Sequence, residues 1–342
     1  MKTLIITSDK AISLQRVSKD IADVLKLNGI DTAVHLGYTL NMDFLTSYNS
    51  TLIVMTFDTV WAVPYFYMFW EQRKRKIRSE FYTTIEGKPI ETMSSSWIRR
   101  DLDFIANSEY TKEKLEEEGY RIKDVIYHGI DIEQAEAVRG DISLIKGWIN
   151  RDPEKFVVGY IAGCYSRKGH DVLNEVAKIV YEKDKDIDFI VLTTEECKEL
   201  YGAPNVHVYT LFGKLNDLQI LQVYNLFDAY VQASLSEGFG LPVLEALAMG
   251  KLVIHPDYKP LSEITTKETS VRVRVLTKTY LDEHTGVKYE LHLYAPKAFA
   301  EAIIKAKELV QTEGDRIASK CIARAKQFDK HAVYKSFIKY LT

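Results

Sequence analysis

The chain has 342 residues, of which 46% are hydrophobic and 27% charged, and its formal net charge is −3. This near-balance excludes the strongly basic composition of many nucleic-acid-binding proteins, so no nucleic acid partner is predicted. The length exceeds that of most proteins with a single core and therefore predicts two domains.

The sequence also predicts the cellular compartment of the protein. Its first residues lack the apolar region and cleavage site of a signal peptide, and no run approaches the roughly twenty apolar residues that a membrane-spanning helix requires. The three cysteines, Cys164, Cys197 and Cys321, lie far apart without a Cys-x-x-Cys pair. This spacing indicates neither a disulfide framework nor a structural zinc site, and we expect a cytoplasmic protein.

Short apolar runs alternate with helical patterns from the N-terminus onward. The first predicted strands cover residues 3–7, 32–36, 51–56 and 81–85. Parallel strands joined by helices bind ligands beyond their carboxyl ends. Asp58, Thr59 and Glu86 are therefore expected on the ligand side of this sheet.

Residues 61–78 are first aromatic and then basic. The aromatic residues are Trp61, Tyr65, Phe66, Tyr67, Phe69 and Trp70, and the basic residues are Arg73, Lys74, Arg75, Lys76 and Arg78. The pattern favours a partly buried helix with a solvated basic end. The alternative is a surface that contacts an anionic membrane or a lipid-phosphate acceptor, which would make the protein membrane-associated.

The end of the first domain is predicted from a strand, a helix and a turn. A short strand at 104–106 precedes a helix that begins near Ser108 or Thr111, and a further strand at 125–127 enters a glycine turn. His128 lies in that turn, where a histidine is more often a structural hydrogen-bonding residue than a catalytic base.

The polar, proline-containing segment 148–155 predicts the linker between the domains. The second domain then begins with a buried strand at 156–161, which runs into a loop that carries Arg167 and Lys168. Two adjacent cations suit a diphosphate because they neutralise the oxygens from which a leaving group departs.

The strongest pattern lies at 233–250 and reads Ala-Ser-Leu-Ser-Glu-Gly-Phe-Gly-Leu-Pro-Val-Leu-Glu-Ala-Leu-Ala-Met-Gly. It follows an apolar strand, loosens at Gly238 and Gly240, and enters a helix with a proline in its first turn. The free N–H groups of a helix N-terminus can hold phosphates where glycines let the backbone approach. Glu237 and Glu245 flank this start, and such carboxylates suit the paired hydroxyls of a sugar and a ribose. The local chemistry predicts a nucleotide sugar.

The segment 233–250 resembles the E-x7-E signature of retaining glycosyltransferases of the GT-B fold, most closely family 4, the glycosyl transferases group 1. Within 104–131, the runs Ile-Ala-Asn-Ser-Glu-Tyr-Thr-Lys-Glu-Lys-Leu and Val-Ile-Tyr-His-Gly-Ile-Asp resemble the end of the first domain in that family. The resemblance implies two α/β, Rossmann-like domains that face each other across a cleft, with a C-terminal helix that crosses back to the first domain. It implies an acceptor-side domain at 1–150, completed by 329–342, and a nucleotide-sugar-binding domain at 151–328.

The resemblance also implies roles for single residues. Glu237 is expected beside the donor hexose and Lys168 beside the diphosphate, both as catalytic residues, while Glu245 holds the ribose hydroxyls. The further donor-binding residues that the resemblance implies are Gly163, Arg167, Gly238, Phe239, Gly240, Leu241 and Val243. The family's arginine usually follows the glycine directly, where this chain has Cys164, and Arg167 is the candidate replacement.

Two further features depart from the family. Glu86 occupies the place of a histidine that many members carry, and it is a third catalytic candidate, with a structural role as an equal alternative. Residues 271–294 are predicted to form a hairpin of unassigned role, with strands at 271–275 and 289–294 and a turn at 282–286.

The implied reaction moves a hexose from a nucleoside diphosphate sugar to a hydroxyl acceptor with retention, by a front-face mechanism without a metal. No cofactor is indicated beyond the donor, for which UDP- and GDP-sugars are favoured. The acceptor, whether glycan, lipid-linked or small molecule, stays unspecified. Two alternatives remain: a GT-B sugar-nucleotide epimerase, and a non-catalytic relative that binds nucleotides or glycans.

Overall fold

Two separate parallel sheets are built from the alternating strands and helices. The computed structural model describes residues 1–37, 42–60, 63–282 and 286–342, with the backbone alone at residues 42 and 63–65. Contacts divide the chain into two units. Unit 1 comprises Met1–Gly129, Tyr280–Glu290 and Phe328–Thr342, and unit 2 comprises Ile130–Thr279 and Leu291–Gln327.

Unit 1 holds a six-stranded parallel sheet in the order β2-β1-β3-β4-β6-β7. Its strands, with one further short strand β5, are β1 (Lys2–Thr7), β2 (Asp31–Leu36), β3 (Ser50–Thr56), β4 (Arg78–Thr84), β5 (Gly87–Pro89), β6 (Asp103–Ala106) and β7 (Arg121–Val125). Its helices include α1 (Ile12–Leu27), α2 (Met42–Leu45), α3 (Val63–Lys74), α4 (Ser95–Asp101) and α5 (Glu109–Glu117). The strand predicted at 125–127 is wrong in position, because the observed strand β7, which pairs with β6, begins four residues earlier, at Arg121.

An aromatic core fills one face of this sheet. Phe57, Phe66, Phe81 and Phe104 are fully buried and meet at ring-centroid distances of 5.2–6.4 Å. Such edge-on and tilted ring contacts stabilise the core beyond the area that they bury. Helix α3 contributes Phe66 to this core, so its aromatic half is partly buried. Trp61 and the side chain of Tyr65 lie outside the described residues.

Unit 2 repeats the architecture, with a parallel sheet in the order β10-β9-β8-β11-β12-β13. The strands are β8 (Phe156–Ile161), β9 (Ile187–Leu192), β10 (Val206–Tyr209), β11 (Ala229–Val231), β12 (Leu252–Pro256) and β13 (Ser270–Val273). The helices are α6 (Ile132–Val138), α7 (His170–Lys183), α8 (Asp217–Tyr224), α9 (Leu241–Ala248), α10 (Leu261–Ile264) and α11 (Pro296–Lys326). The predicted α/β class with two Rossmann-like sheets is therefore confirmed.

Local sequence explains several of these elements. Leu173, Val176 and Val180 recur at helical spacing and are fully buried on one face of α7. Asn216 begins α8 with a capping box, in which its side chain accepts from the backbone of Gln219 and the Gln219 side chain accepts in return. The long helix α11 contains a non-helical residue at position 313, where two helical segments meet.

The predicted hairpin is correct only in its second half. Residues Ser270–Val273 form β13, which pairs in parallel with β12, so the strand predicted at 271–275 belongs to the unit 2 sheet. A three-stranded sheet instead has the order β14 (Val275–Asp282), β15 (Val287–Tyr294) and β5. The predicted turn at 282–286 falls largely on residues 283–285, which lie outside the described residues.

The C-terminal helices belong to unit 1, and the segment 130–150 belongs to unit 2. The last helices, α12 (Lys330–Tyr334) and α13 (Ile338–Leu341), belong to unit 1, where the Tyr334 hydroxyl accepts a hydrogen bond from the Gly129 backbone at 2.8 Å. Residues 130–150, assigned to the first domain from sequence, group with unit 2. In that unit the Arg139 guanidinium donates to the carbonyl of Ala248 at 2.8 Å. Within the described ranges, no helix is both long and apolar enough to span a membrane.

Candidate active site

The carboxyl ends of β8 and β11 in unit 2 carry the residues of the candidate site. The chain after β11 reaches α9 through Gly240, which caps the helix with a φ of 106°. A side chain is strained in that conformation, and an added Cβ would lie 2.7 Å from the side chain of Leu261. Pro242 lies in the first turn of α9. The helix therefore starts where the sequence predicts it.

Glu237 lies before α9 and is held by two donors. The residue is only 8% exposed. Its Oε1 accepts hydrogen bonds from Lys168 Nζ at 2.8 Å and from Gln232 Nε2 at 2.7 Å. Burying a carboxylate without such partners would destabilise the folded state, so the ion pair of Lys168 and Glu237 holds both side chains in place. Lys168 and Glu237, predicted from separate motifs, are brought together.

Glu245 lies within α9 and is 5% exposed. Its Oε2 accepts from the hydroxyl of Tyr224 at 2.7 Å, and the same hydroxyl contacts the carbonyl of Pro242 at 3.0 Å. Tyr224 was not among the predicted site residues. Its position at the end of α8 gave no local signal for this contact.

The second half of the loop after β8 is anchored by residues 167–169. The carbonyl of Arg167 accepts from the Leu235 backbone at 2.8 Å, and the carbonyl of Lys168 accepts from the buried Tyr160 hydroxyl. Burial raises the pKa of Tyr160 above its usual value, and the charge of Glu237 raises it further, so this hydroxyl stays a donor. Gly169 has a φ of 70°, and an added Cβ would lie 2.5 Å from the carbonyl of Ala233. These contacts place the loop against the segment that carries Glu237.

A disulfide lies in the same loop and corrects the sequence prediction. Cys164 is bonded to Cys197, with Cα atoms 5.4 Å apart, whereas the spacing of the cysteines predicted no disulfide. The two residues are 33 positions apart, and sheet order rather than local pattern brings their loops together, since β8 and β9 are neighbours. Cys321 is the free, buried cysteine, and burial raises the pKa of its thiol to about 12.

The remaining predicted donor-binding residues differ in exposure. Phe239 and Val243 are buried, so their side chains belong to the core of unit 2 and only their backbone is suited to face a ligand. Leu241 is half-buried, and Gly238 and Gly163 are buried. The Gly163 carbonyl accepts from His170 Nε2 at 2.9 Å.

Residues that the sequence did not single out support the segment before Glu237. The ring of His292 stacks on that of Tyr258 at 3.9 Å, and Nδ1 of His292 lies 3.1 Å from the carbonyl of Leu235. The hydroxyl of Tyr258 donates to the carbonyl of Ser234 at 2.9 Å, and that of Tyr294 donates to Ala233 at 2.6 Å. The hairpin strand β15 thus contributes to the support of this segment.

Glu86 lies in unit 1, half-buried beyond the end of β4. Its carbonyl accepts from the backbone of Glu290 at 3.0 Å. The carboxylate of Glu290 is buried and accepts from Lys114 at 2.9 Å and from the Tyr280 hydroxyl at 3.1 Å. An added Cβ at Gly87 would lie 2.1 Å from the carbonyl of Lys288. Strand β15 therefore packs directly against the segment that carries Glu86.

His128 occupies a structural position in unit 1. It is 4% exposed, with Nδ1 at 2.8 Å from the Tyr82 hydroxyl and Nε2 at 3.2 Å from Asn107 Nδ2. Burial lowers the pKa of His128 to about 3. A histidine that stays neutral with both ring nitrogens engaged fits the structural interpretation.

The site in unit 2 combines a cation, two oriented carboxylates and a helix start. Backbone N–H groups and Lys168 suit phosphate oxygens, whereas Glu237 and Glu245 suit hydroxyl groups. Among the residues that the structure describes, no group of three or more histidine, cysteine, aspartate or glutamate side chains is arranged to hold a metal ion.

Comparison with known proteins finds similarity to glycosyltransferases. The sequence pattern of the family described as "Glycosyl transferases group 1" matches residues 142–319, which is more than half of the chain. The chain is 29% identical to the uncharacterized glycosyltransferase 335 of Sulfolobus islandicus rod-shaped virus 1, over 99% of this chain and 100% of that protein.

Solved structures of low sequence identity share the fold. A glycosyltransferase from Rickettsia africae ESF-5 superposes with a TM-score of 0.73 at 16% identity, covering 99% of this chain and 97% of that one. The E. coli trehalose-6-phosphate structure bound with UDP-2-fluoro glucose gives a TM-score of 0.68 at 10% identity, covering 100% and 99%. The fold is thus that of the GT-B glycosyltransferases, and the family match over the candidate site shows that this chain belongs to the glycosyl transferases group 1.

Proposed function

We propose that this glycosyltransferase moves a hexose from a nucleoside diphosphate sugar to a hydroxyl acceptor, with retention at the anomeric carbon and without a metal ion. The observation that carries the proposal is the Lys168–Glu237 pair, 2.8 Å apart, beside the start of α9. It combines a cation for a departing phosphate with a carboxylate for sugar hydroxyls.

Each group has a proposed task. The N–H groups at the start of α9 and the ammonium of Lys168 stabilise the charge that develops on the diphosphate as the glycosidic C–O bond breaks. Glu237 orients the hexose and stabilises an oxocarbenium-like transition state. Glu245, held by Tyr224, accepts hydrogen bonds from the ribose.

The front-face route explains retention without a nucleophilic carboxylate. The acceptor oxygen attacks the anomeric carbon from the face that the phosphate leaves, and the departing phosphate oxygen takes the acceptor's proton. Glu237 accepts hydrogen bonds from Lys168 and Gln232 on Oε1, which suits an anchoring carboxylate.

A uridine donor is the favoured choice within this proposal. The support is the similar E. coli structure, which holds UDP-2-fluoro glucose. GDP-sugars are the second donor class to be tested. Glu86 is proposed to hold a hydroxyl of the donor or acceptor from unit 1, where its side chain is half-buried.

Peripheral membrane contact through residues 61–78 is part of the proposal. On α3, Tyr67 is 64% and Trp70 40% exposed, and Arg73 and Lys74 end the helix. Exposed aromatic side chains beside cations suit the headgroup region of an anionic bilayer. Cosedimentation with phosphatidylglycerol vesicles, lost when both aromatic residues are replaced by serine, would support this contact.

The central experiment measures donor cleavage and product configuration. The protein is incubated with UDP-glucose, UDP-N-acetylglucosamine, GDP-mannose and ADP-glucose over a panel of hydroxyl acceptors, and release of nucleoside diphosphate is followed. Glu237→Gln and Lys168→Met should lower the rate at least about a hundredfold while the fold persists, since each removes a group that acts on developing charge. Proton NMR of the product reports its anomeric configuration.

Several outcomes would count against the proposal. Inversion of configuration would exclude the front-face route. Epimerised free nucleotide sugar without any transfer would favour an epimerase. Full activity in both variants would show that the pair beside α9 is not the reactive centre, and activity lost with EDTA and restored by a divalent cation would show that a metal is needed.

A further inference from the structure

The loop that carries Arg167 and Lys168 is cross-linked next to its cations. Cys164, half-buried, is bonded to the buried Cys197, which lies in a short helical segment after β9. A second link runs in parallel, because His170 joins the Gly163 carbonyl at 2.9 Å to the Tyr201 hydroxyl at 2.6 Å. The first residues of the loop are thus tied to the segment 195–201.

The two ends of the loop depend on different contacts. The side chain of Lys168 is held by Glu237 and its carbonyl by the Tyr160 hydroxyl, while its backbone N–H donates to the carbonyl of Tyr165 at 2.9 Å. Arg167, by contrast, places its guanidinium 4.8 Å from the centre of the Tyr165 ring. Tyr165 directly follows Cys164 and is exposed, and its ring lies beside Gly163, where an added Cβ would be 3.1 Å from the ring.

We propose that the Cys164–Cys197 disulfide, acting through Tyr165, positions Arg167 for the donor diphosphate and so makes donor affinity sensitive to reduction. The inference rests on the proposed function. Cys164, Cys197 and Tyr165 are positioning residues, because the guanidinium is the group that would contact the phosphates. The cross-link occupies the position where, by the family resemblance, an arginine usually stands, and it orients the replacement arginine three residues later.

The chemistry of the switch is a simple exchange. Two electrons and two protons pass from a dithiol such as dithiothreitol to the cystine, the S–S bond breaks, and the dithiol closes to a cyclic disulfide. Cys164 and Cys197 then carry free thiols, and the loop loses one of its two links to the segment 195–201. Lys168 keeps its contacts with Glu237 and Tyr160, so binding weakens rather than disappears.

The test measures the dissociation constant of UDP by isothermal titration calorimetry for oxidised and reduced protein. Reduction should weaken binding about two- to fivefold, the change expected when an exposed cation–π contact no longer holds the guanidinium. Oxidised glutathione should restore the original value. Tyr165→Ala should bind UDP as the reduced protein does, and reduction should add little to it. Cys321→Ser serves as the control, because its buried thiol lies outside the loop.

Arg167→Met separates positioning from general stability. A merely structural disulfide would change the melting temperature alone, whereas the proposal requires that reduction leave the UDP affinity of Arg167→Met unchanged. Equal UDP affinity of the oxidised and reduced wild-type protein would overturn this inference while leaving the proposed function intact. Failure of the oxidised protein to bind UDP, GDP or ADP would overturn the proposed function, and this inference with it. Because reduction acts on the wild-type chain, the test does not depend on the folding of a cysteine variant.

Discussion

Replacing Lys168 by methionine removes the ammonium 2.8 Å from Glu237, whereas Gln232 Nε2 still donates to Oε1 of the carboxylate. At this distance, the Coulomb energy is about 6 kcal/mol for an effective dielectric constant of ~20. Desolvation offsets most of it, because the two side chains are only 14% and 10% exposed. A net coupling of about 2 kcal/mol is expected, as for other hydrogen bonds between charged groups.

A double-mutant cycle measures this coupling. Lys168→Met, Glu237→Gln and the double variant are unfolded in guanidinium chloride and followed by circular dichroism, and the free energies of unfolding are extrapolated to water. The pair Lys320–Glu268 is the matched control in the same unit, with a distance of 3.4 Å and side chains 49% and 55% exposed. Its coupling should stay below about 1 kcal/mol, because water screens exposed pairs.

The result that refutes the reasoning is additivity at the buried pair. If the coupling of Lys168 and Glu237 is no larger than that of Lys320 and Glu268, the pair is solvated in solution. The inference that each side chain orients the other would then fail. The double-mutant cycle measures stability alone, so its failure would leave the proposed transfer reaction to be judged by the activity assay.

Three further predictions concern other parts of the molecule. Tyr224→Phe should lower the free energy of unfolding by roughly 2 kcal/mol and raise the donor KM, because Glu245 loses a buried hydrogen bond; an unchanged stability and KM would contradict this. Gly240→Ala should lower the free energy of unfolding by roughly 1–3 kcal/mol. The control is Gly202→Ala, where an added Cβ meets nothing within 4 Å, and equal effects of the two substitutions would contradict the strain argument. Burial lowers the pKa of His128 to about 3 in the folded chain, whereas it is near 6.5 in the unfolded chain, so between these values only the unfolded chain binds the proton. The free energy of unfolding should therefore fall by about 1.4 kcal/mol per pH unit as the pH drops below 6.5. Urea titrations at several pH values should show a shallower dependence of this free energy on pH for His128→Gln.

The sequence by itself determined the class of the fold and the segment that bears the candidate site. Continuous apolar runs between helical patterns are visible in the local sequence, so the buried strands β1, β3 and β8 could be predicted from their own residues. A glycine before a proline likewise predicts a helix start, and Gly240 and Pro242 lie there in the structure. The family resemblance drew on the same short runs.

Tertiary structure alone decided which distant groups meet. Cys164 reaches Cys197 because β8 and β9 are adjacent in the sheet, and no pattern within 33 residues of sequence reports that adjacency. The pairing of β13 with β12, rather than with the hairpin, has the same origin, since either partner suits its alternation of side chains. Contacts between remote segments depend on strand order and register, which are properties of the whole sheet, and this is the reason that the partners of Glu237 and Glu245 became visible only in the folded chain.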